Sequence, residues 1–171
     1  MAEIVYPRMV YVDLGSEDWR SIEISENGWK IVTDAPVKFI RNGVTKQLPI
    51  PEKDGSWDNL WEIINVSDKD TRILIVAWLI QAYWIRGPYS HICLIGEQGS
   101  LKSSLTKYLK RLVDPSEAEL RKPPRDVRDL MISARKERIY TLDNLSSISS
   151  DNSDALCSLS TGGTLTPRSL Y

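Results

Sequence analysis

One short segment of the chain combines glycines, a lysine and a hydroxyl side chain in an order that suits phosphate binding. The apolar run His91–Ile95 leads into Gly96 and Gly99, and Lys102 and Ser103 follow. Glycines let a turn fold around an anion with its N–H groups pointing inward, and the N-terminus of a following helix adds positive charge. A lysine there reaches the β- and γ-phosphates, and the next hydroxyl ligates magnesium. The segment therefore predicts a loop that binds ATP with Mg²⁺.

The predicted nucleotide contacts are nine consecutive positions. They are Gly96, Glu97, Gln98, Gly99, Ser100, Leu101, Lys102, Ser103 and Ser104. Leu101 departs from the common pattern G-x-x-x-x-G-K-[ST], in which glycine precedes the lysine. The N–H group at that position is retained, so the loop can still surround an anion. The branched side chain must point away from the nucleotide, and we expect it to weaken binding.

A carboxylate further along the chain fits the same site. Asp143 ends the apolar run Arg138–Leu142, and a parallel sheet would bring it to the edge at which ligands bind. Asp143 and Ser103 are the predicted magnesium ligands. Asn144 stands where many such ATPases have a glutamate that orients the attacking water; asparagine can position water but cannot accept a proton. Lys102, Asp143 and Asn144 are the predicted catalytic residues. Because Asn144 cannot accept a proton, the pattern predicts nucleotide binding and leaves fast hydrolysis open.

The elements that must position these residues predict an α/β fold. The pattern predicts helices over Asp58–Ile64, from Asp68 or Asp70 to about Arg86, and over Ser100–Val113, Asp126–Arg135 and Ser153–Ser160. Core strands are predicted at His91–Ile95, Glu119–Arg121 and Arg138–Leu142. Their alternation with helices indicates a parallel sheet flanked by helices. The helix after Asp68 is apolar nearly all round, so we expect it to be packed on several sides.

Three domains are predicted. Residues 1–52 form a small β-rich module, with strands at Met9–Leu14, Ser21–Ser25, Trp29–Thr33 and Val37–Arg41 and tight turns at Asn27-Gly28 and Asn42-Gly43. Residues 53–90 are a helical linker. Residues 91–171 are a P-loop ATPase core.

Three segments resemble ATP-binding proteins of phages, prophages and other mobile elements, which are related to the primase-associated helicases of superfamily 3 and to the AAA+ class. They are Gly96–Ser104, Leu142–Ser146 and Asp154–Tyr171. Within the last, Thr161-Gly162-Gly163 and Arg168–Tyr171 are similar to the "TGG…R-x-L-Y" stretch that follows the acidic strand in those helicases. The N-terminal stretch also resembles the region that precedes the ATPase in such proteins, at Val10–Trp19, Trp29 and Val37–Arg41.

The resemblance implies a partial P-loop NTPase core of the AAA+ or RecA-like type, in a ring-shaped homo-oligomer that uses ATP to act on DNA in mobile-element replication. Lys102, Ser103 and Asp143 match the functional positions of the family. Arg168 matches a recurring arginine. A contact to the nucleotide or to a neighbouring subunit is one interpretation of it, and an ordinary surface arginine is the alternative. Too few residues follow Lys102 for the later sensor strand and the arginine that acts on the neighbouring subunit. The core is therefore expected to be incomplete at its C-terminal end, and the rest of a longer helicase chain is an alternative partner.

Arg121, Lys122 and Arg125 lie in the densest basic stretch and are predicted DNA contacts. Acidic residues are interleaved with it, so a solvated, self-paired surface is the alternative interpretation.

The composition and the apolar runs predict where the protein is located and predict no membrane partner. A net charge of −1 and 42% hydrophobic residues are ordinary for a globular protein. The start lacks a secretory pattern, and the apolar run Ile73–Ile85 is shorter than the ~20 residues needed to span a bilayer. We therefore predict a cytoplasmic protein. Cys93 and Cys157 fit no metal-ligand spacing and are predicted to be reduced, buried thiols.

Besides the helicase-type ATPase, three functions stay open. One is a nucleotide-binding regulatory or interaction module with little hydrolysis, which Leu101 and Asn144 favour. Another is a small-molecule P-loop kinase, disfavoured by the long stretch before the loop and the lack of an Arg-rich lid. The last is a DNA-binding module whose nucleotide site is inactive.

Overall fold

The N-terminal part of the molecule is a three-stranded antiparallel sheet. The computed structural model describes residues 9–84, 87–97 and 99–162. Strands β1 (Val10–Asp13), β2 (Ser21–Ser25) and β3 (Gly28–Val32) pair in the order β1-β2-β3. The pairing of Ser25 with Gly28 closes the second hairpin, and Gly28 has a φ of +108°, which glycine adopts without strain. Three of the four predicted strands and the Asn27-Gly28 turn are therefore confirmed.

The predicted strand over Val37–Arg41 is wrong. Its last residue packs its side chain onto the sheet instead. The Arg41 guanidinium donates to Asp13 Oδ2 at 2.6 Å and to the Ser16 carbonyl at 2.6 Å, and it stacks 3.9 Å from the ring centroid of Trp19. These contacts fix the segment through a side chain, whereas a strand would be fixed by backbone pairing.

Five helices follow in the described ranges. They are α1 (Trp57–Ile64), α2 (Lys69–Gln81), α3 (Lys102–Val113), α4 (Val127–Ala134) and α5 (Ser150–Ser160). Four of them begin after a side-chain cap, supplied by Ser56, Asp68, Asp126 and Ser149. Each cap accepts a hydrogen bond from an N–H in the first turn, which is why these residue types mark helix starts. The last helix begins three residues earlier than predicted because Ser149, rather than a later residue, is its cap.

The hydrophobic core lies between α1, α2 and α3. Its buried members are Ile64, Ile75, Leu79, Leu109 and Val113. Ile92 and Ile139 pack against it from the segments before the predicted phosphate loop and before Asp143. The core therefore supports the two segments that carry the candidate site.

Helix α2 is covered on fewer sides than its composition suggests. Ile75 and Leu79 are buried, but Ile73, Leu74 and Ile80 are each more than half exposed. The expectation of packing on several sides is wrong for the described residues. Apolar composition reports what a helix can bury, and whether a neighbour covers it depends on tertiary structure.

A short connector joins the sheet to the helical part. The Lys46 N–H donates to the Pro115 carbonyl at 2.9 Å, and Thr45 forms an antiparallel bridge with Ser116. On its other side, the Leu48 N–H donates to the Leu14 carbonyl at 2.8 Å. Residues just after α3 are thereby fixed to the N-terminal sheet.

The predicted parallel sheet is represented by a single parallel bridge in the described residues. Arg121 and Leu142 form a parallel bridge, and the Thr141 hydroxyl donates to the Glu119 carbonyl at 2.7 Å. Residues 91–95 carry no strand pairing there. Parallel pairing joins two of the three predicted segments, and the full P-loop sheet stays a prediction.

Candidate nucleotide-binding site

The predicted phosphate loop leads directly into α3. Gly99 has a φ of +85°, and Leu101, at the N-cap position, has a φ of +60°. Leucine has no side-chain oxygen with which to cap the helix, so its first N–H groups face the loop without a cap from that residue. Left-handed residues in a turn at a helix N-terminus are one way in which a backbone can form a concavity for an anion, and anion binding by this loop stays a prediction.

Glycine is favoured at the two glycine positions of the loop for different reasons. A Cβ atom at Gly96 would lie 2.8 Å from the Ser100 hydroxyl oxygen, so the loop closes tightly at that point. At Gly99 the space is open, and the positive φ is what favours glycine. Leu101 occupies a similar backbone region with a side chain that is 66% exposed. The leucine therefore keeps the glycine-like backbone shape, with its side chain directed mostly into solvent.

Lys102 folds back over the loop. Its Nζ donates to the Gly96 carbonyl at 2.7 Å and to the Ser100 hydroxyl at 3.0 Å, and it also contacts the Glu97 carbonyl. The ammonium thus lies at the mouth of the loop, and its partners among the described residues are neutral oxygens. A phosphate group would offer it charged acceptors in place of these carbonyls.

Ser103 and Asp143 meet across the site. The Ser103 hydroxyl donates to Asp143 Oδ1 at 2.8 Å, and both side chains are half-buried. The Asp143 N–H donates to the Arg121 carbonyl at 2.9 Å, which continues the parallel bridge. The structure therefore brings together the two residues predicted to bind magnesium.

The donor set at this point fits a magnesium ion. Mg²⁺ prefers oxygen ligands and is commonly held by one or two carboxylates together with substrate phosphates. Ser103 and Asp143 would supply a hydroxyl and a carboxylate. In the described ranges no three His, Cys, Asp or Glu side chains cluster in a way that could hold a metal, so phosphates would have to complete the coordination.

Asn144 follows the carboxylate with an exposed side chain and a φ of +56°. Asparagine is among the few non-glycine residues that adopt this conformation readily. The chain turns sharply directly after Asp143, which leaves the amide at the surface of the site.

Of the other predicted contacts, Glu97, Ser100 and Ser104 are exposed. Gln98 and Arg168 lie outside the described residues.

A buried ionic cluster beside the site has no counterpart in the sequence predictions. Lys110 of α3 is fully buried, and its Nζ contacts Asp114 Oδ2 at 3.1 Å and Glu137 Oε2 at 3.0 Å. It also donates to the Ile139 carbonyl at 2.7 Å, and Arg121 pairs with the same Glu137. Removing one member of such a buried pair typically costs about 3–5 kcal/mol. A lysine in an amphipathic helix ordinarily indicates a solvated position, so no sequence signal marked this cluster.

The predicted DNA contacts separate into two groups. The Arg121 guanidinium donates to Glu137, whose side chain is 1% exposed, so Arg121 is committed to the buried cluster. Lys122 and Arg125 are exposed. Lys122 lines a cleft of about 430 Å³. Its lining consists of Leu120, Arg121, Lys122, Pro124, Asp129, Ile132, Ser133 and Tyr140. Burial raises the pKa of Tyr140 above its ordinary value, although Arg121 nearby opposes this shift.

The two cysteines are exposed, which corrects the prediction of buried thiols. Cys93 lies on the 91–95 segment, where exposed and half-buried residues alternate because one side of the segment is open. Cys157 lies on α5. No helix in the described ranges combines the length and apolar character needed to traverse a bilayer.

The sequence places this chain among replication proteins of mobile genetic elements. Residues 57–171, from the first residue of α1 through the loop and Asp143, match the family model "Actinomycete integrative conjugative element replication protein". The chain belongs to that family. No curated protein and no solved structure matches it. The predicted connection with mobile-element replication is confirmed, whereas ATP binding and the helicase relationship stay predictions.

Proposed function

We propose that this chain is the nucleotide-binding module of a mobile-element replication protein, and that it binds ATP with Mg²⁺ to act on DNA. The observation that carries the proposal is the contact between Ser103 and Asp143. The phosphate-loop pattern predicts Ser103 as a magnesium ligand, and the carboxylate that ends the apolar run Arg138–Leu142 predicts Asp143 as the other. Their separation of 2.8 Å would let both oxygens serve the same ion, which supports the proposal.

Each residue of the site has a distinct task in this proposal. The backbone from Gly96 to Leu101 receives the phosphates, and Lys102 exchanges its carbonyl partners for phosphate oxygens. Ser103 and Asp143 hold the magnesium ion, which neutralises phosphate charge when bound. Asn144 orients a water by hydrogen bonds but does not remove its proton.

The first experiment is a titration with a fluorescent ATP analogue, with and without magnesium. We expect binding that magnesium strengthens and that Lys102→Ala abolishes. Lys107→Ala is the matched control, because it removes the same charge from the same helix away from the loop, and it should bind like the wild-type chain. Absence of binding by the wild-type chain would refute the proposal.

A second candidate function, a nucleotide-dependent switch with little turnover, is favoured by the asparagine after Asp143. ATP turnover with and without single-stranded DNA separates the two. DNA-stimulated turnover supports a motor. Tight magnesium-dependent binding without turnover supports a switch, in which bound nucleotide sets the affinity for DNA or for another subunit.

A further inference from the structure

The buried Lys110 uses all of its hydrogen-bond donors on groups in or next to residues 137–143, the segment that leads to Asp143. A lysine ammonium has three donors. Here they contact Asp114, Glu137 and the Ile139 carbonyl at 3.1, 3.0 and 2.7 Å. Two of these acceptors belong to the segment that leads to Asp143. The third, Asp114, also accepts the N–H groups of Arg138 and Ile139 through its Oδ2 atom, each at 3.0 Å.

The same segment meets α3 a second time. Ser103 and Lys110 lie two turns apart on one face of the helix, roughly 10 Å along its axis. Ser103 bonds Asp143, and Lys110 bonds the Ile139 carbonyl. Residues 139–143 are thus attached to α3 at both ends. The lysine contact involves a backbone carbonyl, so it fixes the position of the chain along the helix and not merely the direction of a side chain.

We propose that Lys110 is a positioning residue for Asp143: the buried cluster sets where the carboxylate lies relative to Ser103. The magnesium role in this inference rests on the proposed function. Buried ion pairs contribute little net stability compared with apolar packing. An apolar residue at position 110 could fill the same space but could not bind the Ile139 carbonyl. The cluster therefore fixes the position of residues 139–143 along α3, and with it the position of Asp143 relative to Ser103.

The variant that tests this is Lys110→Met combined with Glu137→Gln. The double change removes one positive and one negative charge and leaves a neutral amide in place of the buried Glu137 carboxylate. Asp114 loses its ammonium partner, but it is partly exposed and still accepts two backbone N–H groups. Leu109→Ala is the matched control, because Leu109 is a buried core residue on the same helix and its truncation lowers stability without touching the cluster. Asp114→Asn is a milder second variant that keeps the side-chain shape.

Two measurements are made on each variant. One is the ratio of fluorescent ATP-analogue affinities with and without magnesium. We expect the double variant to lose about tenfold in this ratio, the low end of the effect of removing groups that orient metal ligands, with magnesium-free affinity within about twofold of the wild type. The other is hydrogen exchange of the Asp143 amide relative to slowly exchanging core amides. We expect it to accelerate in the double variant, less in Asp114→Asn, and not in Leu109→Ala.

An unchanged magnesium ratio together with unchanged Asp143 exchange would overturn the proposal. Equal losses in Leu109→Ala would also overturn it, because they would reduce Lys110 to a general stabilising residue. If the wild-type chain shows no magnesium-dependent binding, the magnesium role falls with the proposed function. Faster Asp143 exchange in the double variant would then still support the attachment of residues 139–143 by Lys110, so the two failures are distinguishable.

Discussion

The hydroxyl of Ser103 donates to the carboxylate of Asp143 at 2.8 Å, although 40 positions separate the two residues in the chain. The contact links the first turn of α3 to the end of the segment that forms the parallel bridge with Arg121. Neither residue is fully buried, so the pair is accessible from solvent. The Ser103 hydroxyl and the Asp143 carboxylate therefore lie beside the loop that Lys102 contacts, and solvent or a ligand can reach both oxygens.

Removing either oxygen donor should weaken the magnesium-dependent part of nucleotide binding. For Ser103→Ala and Asp143→Asn we expect Mg·ATP-analogue affinity to fall by about 10- to 100-fold, a range typical for disturbing groups around a metal. Magnesium-free affinity should change little. Isothermal titration of each variant with and without magnesium measures this. Ser104→Ala, one residue further along the helix and exposed, is the control. A loss of magnesium-free binding as large as the magnesium-dependent loss would contradict the assignment.

Leu101→Gly should stabilise the fold while keeping the loop shape. A left-handed backbone costs a non-glycine residue about 1–2 kcal/mol, and Leu101 has a φ of +60°. Glycine removes that strain but adds about 0.4–1 kcal/mol of unfolded-state entropy. We expect a net gain of about 0.5–1 kcal/mol in the free energy of unfolding, measured by urea denaturation. Leu101→Ala retains the strain and should show no gain; a gain as large as that of glycine would locate the effect elsewhere.

The parts of the site that follow from local chemistry could be predicted, and those that depend on remote partners could not. The helix starts at Asp68 and Asp126 could be predicted because a capping side chain acts within one turn. The loop is similarly local. Lys110 is different, because its burial depends on Glu137 and on a backbone carbonyl that reach it only in the folded chain. Its sequence neighbourhood is that of an ordinary solvated lysine.

The solvent exposure of side chains in apolar runs could not be predicted from the sequence either. Cys93 and Leu74 both lie in apolar runs, yet both are exposed. Hydrophobic pattern identifies residues that gain from burial. It does not specify which neighbouring segment covers them.

The exposed basic residues should contribute to DNA affinity through phosphate contacts alone. Replacing both Lys122 and Arg125 by alanine is expected to reduce the salt slope of binding to single-stranded DNA by about 1.4, roughly 0.7 for each lost phosphate contact. Fluorescence anisotropy with single-stranded DNA at several salt concentrations measures the slope. Arg135→Ala and Lys136→Ala together remove two exposed charges beyond α4 and serve as the control. An equal reduction in that control would indicate a diffuse charge effect.

The cap of α2 should make stability depend on pH in acid. Hydrogen bonds from the Thr71 hydroxyl and N–H, at 2.6 and 2.7 Å, lower the pKa of Asp68 below its ordinary value of 3.8. A carboxyl with a lowered pKa in the folded state contributes stability that is complete above 3.8 and is lost as pH falls through the folded value. Asp68→Ala should therefore be less stable than wild type at pH 7, and the difference should shrink below about pH 4. Urea unfolding midpoints from pH 2 to 7 test this. A difference independent of pH would show that the carboxylate charge is not the stabilising feature.

Gly15 should be the glycine least tolerant of substitution in the N-terminal module. Its φ is +68°, and a Cβ atom there would lie 2.7 Å from the Lys46 carbonyl oxygen, in the connector between the sheet and the residues after α3. Gly15→Ala combines a left-handed backbone penalty of about 1–2 kcal/mol with a clash against backbone that hydrogen bonds hold in place. Gly43→Ala is the matched control, because it has no neighbour within 4 Å and no positive φ. Thermal unfolding should show a loss of at least about 1 kcal/mol for the first variant and little change or a slight gain for the second. Equal behaviour would mean that the connector does not pack against the sheet at Gly15.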